Sequence, residues 1–113
     1  MSVFFGFGIA PSMFPESCEI ARRPLAVDEV RELVAEGIVP CLNPSHTATI
    51  AVMRARFGLD VAIPERAPSV RLAHGDSVIV LGVSGLPRLE GRHEYTAEEI
   101  EGARFSFSIF RVA

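Results

Sequence analysis

The sequence predicts a single α/β or α+β domain, in which a mixed sheet of five or six strands packs with two main helices and a short third helix. Two observations lead to this fold class. Apolar residues recur at helical spacing in two segments, and strand-like apolar runs lie before, between and after them. The 113 residues, of which 49% are hydrophobic, suit one folded domain spanning residues 1–113.

Two strands are predicted before the first helix. Residues 2–9 are apolar and rich in phenylalanine, which indicates a strand, and Gly6 and Gly8 allow another backbone to approach it closely. Residues 10–16 contain two prolines and are predicted to form a loop. A short strand over residues 17–22 follows this loop.

Two main helices are predicted in the middle of the chain. Valine and leucine recur at helical spacing over residues 24–36, and Gly37 ends that helix. An apolar run, residues 38–42, predicts a buried strand before the second helix. The second helix covers residues 47–57, with Gly58 as its C-cap. Its predicted core residues are Ile50, Met53 and Phe57.

The second half of the chain is predicted to be mostly strand. A turn sequence at residues 73–76 predicts a hairpin between the two runs that flank it. A capping box at residues 96–99 begins the short last helix. The final run alternates apolar and polar residues and therefore has one clearly buried face. The predicted strands are residues 61–64, 69–72, 77–83 and 104–112.

Charge and hydropathy exclude several classes of protein. The net charge of −3 disfavours binding to duplex DNA or RNA, which requires a basic face, whereas a small anionic ligand requires only a local cluster. No apolar run approaches the ~18 residues of a membrane span. The N-terminus has no basic segment ahead of its apolar run, so we expect no signal peptide and a cytoplasmic location, in the host cell if the protein is viral.

The two cysteines do not form a recognisable site. Cys18 and Cys41 are far apart in the sequence and match no metal-binding spacing. We therefore expect two reduced, buried thiols, and neither a metal nor a cofactor.

The most distinctive segment is residues 43–47, Asn-Pro-Ser-His-Thr, between the predicted buried strand and the second helix. A helix N-terminus has unpaired backbone N–H groups and a partial positive charge, so it suits an anion such as phosphate. The segment also supplies an amide, hydroxyls and a proton-transfer group for phosphodiester chemistry. The candidate residues are Asn43, Ser45, His46 and Thr47. Alternatively, these are ordinary helix-start residues beside a solvated histidine.

A second group of charged and aromatic side chains lies at residues 85–95. Arginine holds phosphate and stabilises developing charge, while glutamate orients an attacking hydroxyl or accepts its proton. Histidine and tyrosine can stack on a base. The candidates are Arg88, Glu90, Arg92, His93 and Tyr95. The alternative is a solvated connection whose charges pair with each other.

Short motifs in the second half follow the order and spacing of a known family. They are Ile63-Pro64, Val70-Arg71-Leu72, Gly75-Asp76, Val78-Ile79-Val80, Arg88-Leu89-Glu90-Gly91 and Thr96-Ala97-Glu98-Glu99-Ile100, followed by the aromatic final strand. Over about residues 29–112 the chain resembles ring nucleases of the type III anti-CRISPR kind, a small viral and bacterial family first known from archaeal viruses, which degrade cyclic tetra-adenylate. The resemblance implies a dimer that holds its ligand across the two-fold axis. It also implies metal-independent cleavage, in which a ribose hydroxyl attacks its neighbouring phosphate.

The chain departs from this family at the catalytic histidine. The family's histidine usually lies in a Gly-His-x-Ser-Thr motif at the start of the helix. An alignment on Pro44-Ser45 puts Asn43 at that position, and an alignment on Thr47 puts Pro44 there. Neither alignment puts His46 there, so His46 would have to reach the site from a shifted backbone position.

Two function classes follow from these observations. The first is a homodimer that binds a cyclic oligonucleotide of the cyclic oligoadenylate class, as a divergent anti-defence ring nuclease or as a non-cleaving sequestering protein. The second is a small phage or mobile-element protein-interaction module without a nucleotide ligand. In a nuclease, His46 acts as general acid, Glu90 positions the attacking hydroxyl and Arg88 stabilises the developing charge. The predicted ligand-binding residues are Gly8, Asn43, Ser45, Thr47 and Arg92.

Overall fold

A five-stranded mixed sheet organises the fold in the computed structural model, which describes residues 1–66, 68–86 and 95–113. The strands are β1 (Val3–Gly6), β2 (Ile20–Leu25), β3 (Val39–Pro40), β4 (Ser77–Ser84) and β5 (Arg104–Val112). The helices are α1 (Val27–Glu36), α2 (Thr47–Phe57) and α3 (Ala97–Glu101), with one 3-10 turn at Pro11–Met13. These elements confirm the predicted α/β or α+β class, with two main helices and a short third.

The strand order is β2-β5-β4-β1-β3, so β1 lies between two parallel neighbours, β3 and β4. The other half of the sheet is antiparallel, since β5 pairs with both β4 and β2. Helix α2 belongs to the crossover that carries the chain from β3, on one side of β1, to β4 on the other. The chain connections that lead to β3 and to β4 therefore run to opposite sides of β1.

The core is divided between the two faces of the sheet. On one face, Phe5 and Ile79 from the strands pack in one cluster with Val30 of α1 and Met53 of α2, and all four are fully buried. The opposite face carries a smaller cluster without helices. It comprises Leu72, Val78 and Val112, with Met13, Phe14, Cys18 and Val70 among its partly buried neighbours.

Several predicted elements occur at their predicted places. Helix α2 has the predicted bounds and ends at Gly58, whose φ of 64° is left-handed and favours glycine. The capping box is present, because the Thr96 hydroxyl accepts from the Glu99 N–H at 3.1 Å and the Glu99 carboxylate accepts from the Thr96 N–H at 2.9 Å. Strand β5 also has the predicted bounds.

The predicted buried strand at residues 38–42 is instead a two-residue edge strand. Only Val39 and Pro40 are paired, and Val39 is 41% exposed. Proline has no N–H to donate, which suits it to an edge position and shortens the ladder. The fully buried residue of this run is Leu42, which lies beyond the strand.

The predicted hairpin at residues 69–83 is wrong, although its turn is present. Asp76 N–H donates to the Ala73 carbonyl at 3.0 Å, and Gly75 has a φ of 95°. Residues 69–72 form no strand, because Leu72 instead packs on the second face of the sheet and donates its N–H to the Met13 carbonyl at 2.7 Å. Strand β4 pairs with β1 and β5 rather than with this segment.

Other boundaries differ where tertiary contacts override local patterns. Residues 61–64 form no strand, and Val61 is a buried core residue instead. Strand β2 begins three residues later than predicted, and it includes Pro24, which lies opposite Ser108. Because this pairing keeps residues 24 and 25 in β2, α1 begins at Val27 rather than at the predicted residue 24. The face of β5 opposite the helices is also covered, since Ser108 is only 8% exposed and accepts from Arg22.

Within the described residues, no helix combines the length and the apolar character needed to cross a membrane.

Candidate functional site

A cavity of about 520 Å³ lies at the carboxyl end of β1. In open α/β sheets, ligands bind beyond the carboxyl ends of parallel strands where neighbouring connections diverge, and β1 has this position between β3 and β4. The volume is within the ~300–1,000 Å³ range of ligand pockets. The cavity is lined by Gly6, Phe7, Gly8, Met13, Cys41, Asn43, His46, Pro68, Val70 and Val78.

The structure brings together three of the predicted site residues. Gly8 follows β1, Asn43 follows β3 and His46 precedes α2, and all three line the cavity. Ser45 and Thr47 lie beside them in sequence and are exposed. The predicted site residues Arg88, Glu90 and Arg92 lie outside the described residues, as does His93.

A side-chain turn fixes the segment before α2. The Oδ1 atom of Asn43 accepts hydrogen bonds from the Ser45 N–H at 3.0 Å and from the Ser45 hydroxyl at 2.8 Å. The His46 N–H donates to the Asn43 backbone carbonyl at 3.1 Å. The N–H groups of Ser45 and His46, two of the candidate residues for anion binding, are therefore already engaged. The N–H groups left without intrahelical acceptors are those of the first helical turn, beginning at Thr47.

His46 is exposed at the N-cap position of α2. Among the described residues, its side chain makes no capping hydrogen bond, so its ring nitrogens remain available to a ligand. The ring instead contacts Phe7, with 5.0 Å between the centroids and 51° between the planes. The contact holds the imidazole at the wall of the cavity.

Phe7 is the residue of this site that the sequence interpretation missed. It lies one residue beyond β1, is half-buried and packs against the helix-side core. The sequence feature that could have identified Phe7 is its position between Gly6 and Gly8. An aromatic residue between two glycines at a strand end has unobstructed space beside its ring.

Cys41 also lines the cavity and is half-buried rather than fully buried. Burial raises the pKa of its thiol, although the thiol's hydrogen bond with the Phe5 backbone opposes this effect. Cys18 is half-buried as well, and both cysteines are free thiols. Across the described ranges, no group of three or more histidine, cysteine, aspartate or glutamate side chains is placed to hold a metal ion.

No family model matches the chain, and no curated protein matches it. Among solved structures, the chain is similar to B116 of Sulfolobus turreted icosahedral virus, with a TM-score of 0.69 and 18% sequence identity. The match covers 98% of this chain and 99% of that chain. At this identity the likeness shows a shared fold. The chain therefore has the fold of a small α/β protein from an archaeal virus.

Proposed function

We propose that this protein binds a cyclic oligonucleotide of the cyclic oligoadenylate class as a homodimer, and that it acts as a divergent anti-defence ring nuclease or as a non-cleaving sequestering protein. The observation that carries this proposal is the cavity beyond β1, where the start of α2, the Phe7–His46 ring pair and Asn43 meet. The family resemblance in the second half of the chain and the likeness to a viral fold support the same function.

The chemistry of the cavity suits a nucleotide. The first turn of α2 offers unpaired N–H groups and the positive end of a helix dipole to a phosphate. Aromatic rings beside it offer a surface for a base. An acidic chain with a local anion site selects a small ligand rather than a long polyanion.

The size of the cavity supports a shared ligand. About 520 Å³ suits a drug-sized molecule, so one cavity accommodates only part of a ring of four nucleotides. A cyclic tetranucleotide is close to two-fold symmetric, and a C2 homodimer presents the same site twice. Two copies of the cavity on one axis would complete the binding surface.

Binding has stronger support than cleavage. In a cleaving enzyme, His46 would protonate the leaving ribose oxygen, Glu90 would orient the attacking hydroxyl, and Arg88 would stabilise the charge on the phosphorane-like centre. By the resemblance, this reaction would persist in EDTA and leave a cyclic phosphate end. However, His46 occupies neither alignment position of the family's histidine, and this departure bears on cleavage rather than on binding.

Thermal shift with cyclic di-, tri- and tetra-nucleotides tests the proposal. A ligand that binds only the folded protein stabilises it by ~2.7 kcal/mol when its concentration is a hundred times its Kd. We expect cyclic tetra-adenylate to raise the Tm, and linear tetra-adenylate serves as the matched control. No shift with any cyclic nucleotide would contradict the proposal.

An exposed apolar patch supports the second candidate function, a small phage or mobile-element protein-interaction module. Ile9 and Ile20 are 44% and 46% exposed, and with Phe14 they line a shallow cavity of about 350 Å³. Exposed apolar patches mark interaction surfaces. Absence of nucleotide binding, together with a partner whose binding is lost in Ile20→Asp, would favour this candidate.

A further inference from the structure

We infer that Phe7 and His46 form a stacking surface for one purine base, and that Asn43 donates a hydrogen bond to the edge of that base. We call these three residues the base subsite. The inference rests on the proposed function, because it assigns one base of the cyclic oligonucleotide to a place in the cavity. It adds a chemical preference that the proposed function does not contain.

The Phe7 and His46 rings are inclined to each other rather than stacked in parallel. The centroids are 5.0 Å apart and the planes are inclined by 51°, so neither ring covers the face of the other. Phe7 packs on the core on one side and lines the cavity on the other. His46 is exposed beside it. A planar base entering the cavity can therefore stack on one ring and touch the other with its edge.

The floor of the cavity suits a base better than a phosphate. Met13, Val70 and Val78 contribute apolar side chains, and all three belong to the cluster on the second face of the sheet. A phosphate placed there would lose its hydration without compensation. The unpaired N–H groups lie at the start of α2 instead. The base thus enters the apolar part of the cavity while its phosphate stays near the helix.

Asn43 determines which base edge is preferred. Its Oδ1 atom already accepts two hydrogen bonds from Ser45, which is the capacity of a carbonyl oxygen. These bonds also fix the orientation of the amide, and its Nδ2 group makes no hydrogen bond within the described residues. Asn43 therefore offers donors only.

A donor-only amide selects an acceptor on the base. Adenine presents the N7 acceptor and guanine presents the N7 and O6 acceptors, whereas the bidentate recognition of adenine also requires a free carbonyl to accept from N6. The larger ring system of a purine also stacks over more area than that of a pyrimidine. The stacking area should therefore make the subsite prefer purines over pyrimidines, and the donor-only amide should not favour adenine over guanine.

The first arm of the test uses nucleoside monophosphates and needs no variant. The wild-type protein, with labelled aromatic rings, is titrated with AMP, GMP and CMP and followed by NMR. We expect AMP and GMP to shift the ring signals of Phe7 and His46 upfield at similar concentrations, and CMP to require more ligand. Equal responses to all three nucleotides, or shifts that spare these rings, would overturn the inference.

The second arm measures the affinity of cyclic tetra-adenylate by calorimetry. Phe7→Leu removes the aromatic face and should weaken binding roughly 5- to 150-fold, the equivalent of losing one stacked base. Phe7→Trp keeps an aromatic ring at this position and should bind cyclic tetra-adenylate like the wild type. Phe14→Leu is the matched control, because Phe14 is also half-buried but does not line this cavity. Unchanged affinity in Phe7→Leu would overturn the inference.

The two arms separate the subsite from the proposed function. If AMP shifts the Phe7 and His46 rings but cyclic tetra-adenylate does not bind, the base subsite stands and the proposed function fails. If cyclic tetra-adenylate binds but Phe7→Leu has no effect, the function stands and the subsite is wrong. If neither nucleotide binds, both are wrong.

Discussion

At the scale of single residues, His46 distinguishes a ring nuclease from a sequestering protein. Its ring contacts Phe7, and its ring nitrogens make no capping hydrogen bond among the described residues. His46→Phe keeps an aromatic ring there but removes both nitrogens. If the wild type cleaves cyclic tetra-adenylate, we expect this variant to lower the rate by ~10²–10⁴, the scale of general acid–base catalysis, with little change in affinity. Chromatography of the products measures the rate, and calorimetry measures the affinity.

His74→Phe is the control for that variant. His74 does not line the cavity, and its Nδ1 atom lies 2.9 Å from the Ala113 carbonyl oxygen. Its substitution should leave the rate unchanged. A full rate in His46→Phe would contradict the general-acid role while sparing the binding site. Tight binding without turnover in the wild type would identify a sequestering protein.

Arg88 tests whether the charged loop belongs to the site. Its role comes from the family resemblance, since it lies outside the described residues. Arg88→Ala should weaken binding of cyclic tetra-adenylate by ~1–3 kcal/mol, the scale of charged hydrogen bonds, and leave the urea midpoint of unfolding unchanged. Arg71→Ala, at an exposed arginine, is the control. Equal affinity in wild type and Arg88→Ala would remove the loop from the site.

The sequence predicts the polar part of the site better than its aromatic part. Asn43 and His46 stand out because an Asn-Pro-Ser segment before a helix has a known local geometry. The same geometry engages the N–H groups of Ser45 and His46, which donate to the Asn43 side-chain and backbone oxygens. The sequence places Phe7 inside the predicted first strand, residues 2–9. Its role depends on the strand ending at Gly6, and the pairing partners decide that end.

At the scale of elements, the sequence predicts structures set by local signals, but it does not predict the long-range pairing of strands. Helix α2 and the α3 capping box follow from residues within one or two turns, and both are predicted correctly. Strand β4 pairs with β1, more than seventy residues away in sequence, and no local turn encodes that choice. The turn at residues 73–76 is real, but it connects a loop to a central strand rather than two strands to each other.

Asp76 ties the amino ends of β1 and β4 together. Its carboxylate accepts from the Ser2 N–H and the Ala73 N–H, each at 2.9 Å, and these bonds hold its pKa below the ordinary value. Because the pKa of Asp76 is lower in the folded than in the unfolded protein, the ionised carboxylate stabilises the fold at pH values above its unfolded-state pKa. This contribution is lost as the pH falls below about 4 and the carboxylate is protonated. We expect Asp76→Asn to reduce the free energy of unfolding at pH 7 and to reduce its fall between pH 6 and pH 3.

Urea unfolding at pH 7, pH 6 and pH 3 measures this effect. Asp60→Asn is the matched control, because Asp60 is an exposed aspartate that makes no hydrogen bond within the described residues. The control should resemble the wild type at each of these pH values. An Asp76→Asn variant with the wild-type pH dependence would show that the two backbone bonds contribute nothing to folding.

At the scale of the whole molecule, both edges of the sheet are poorly suited to pairing with another copy. Edge strand β2 contains Pro24 and two arginines, and edge strand β3 has only two residues, one of them Pro40. Proline and charge on an edge strand oppose strand addition. We therefore expect the proposed homodimer to form through other surfaces, with the two sheets remaining separate.

The stoichiometry of the ligand tests this assembly. If two cavities share one two-fold symmetric ring, calorimetry should give one cyclic tetra-adenylate per two chains, and light scattering should give twice the chain mass of 12.3 kDa at micromolar concentration. A monomer that binds one ring per chain would contradict the shared site while leaving the cavity intact. A dimer that binds two rings would retain the assembly but move the cavities away from the axis. The half-stoichiometric dimer is the outcome expected if each cavity of about 520 Å³ encloses part of the ring.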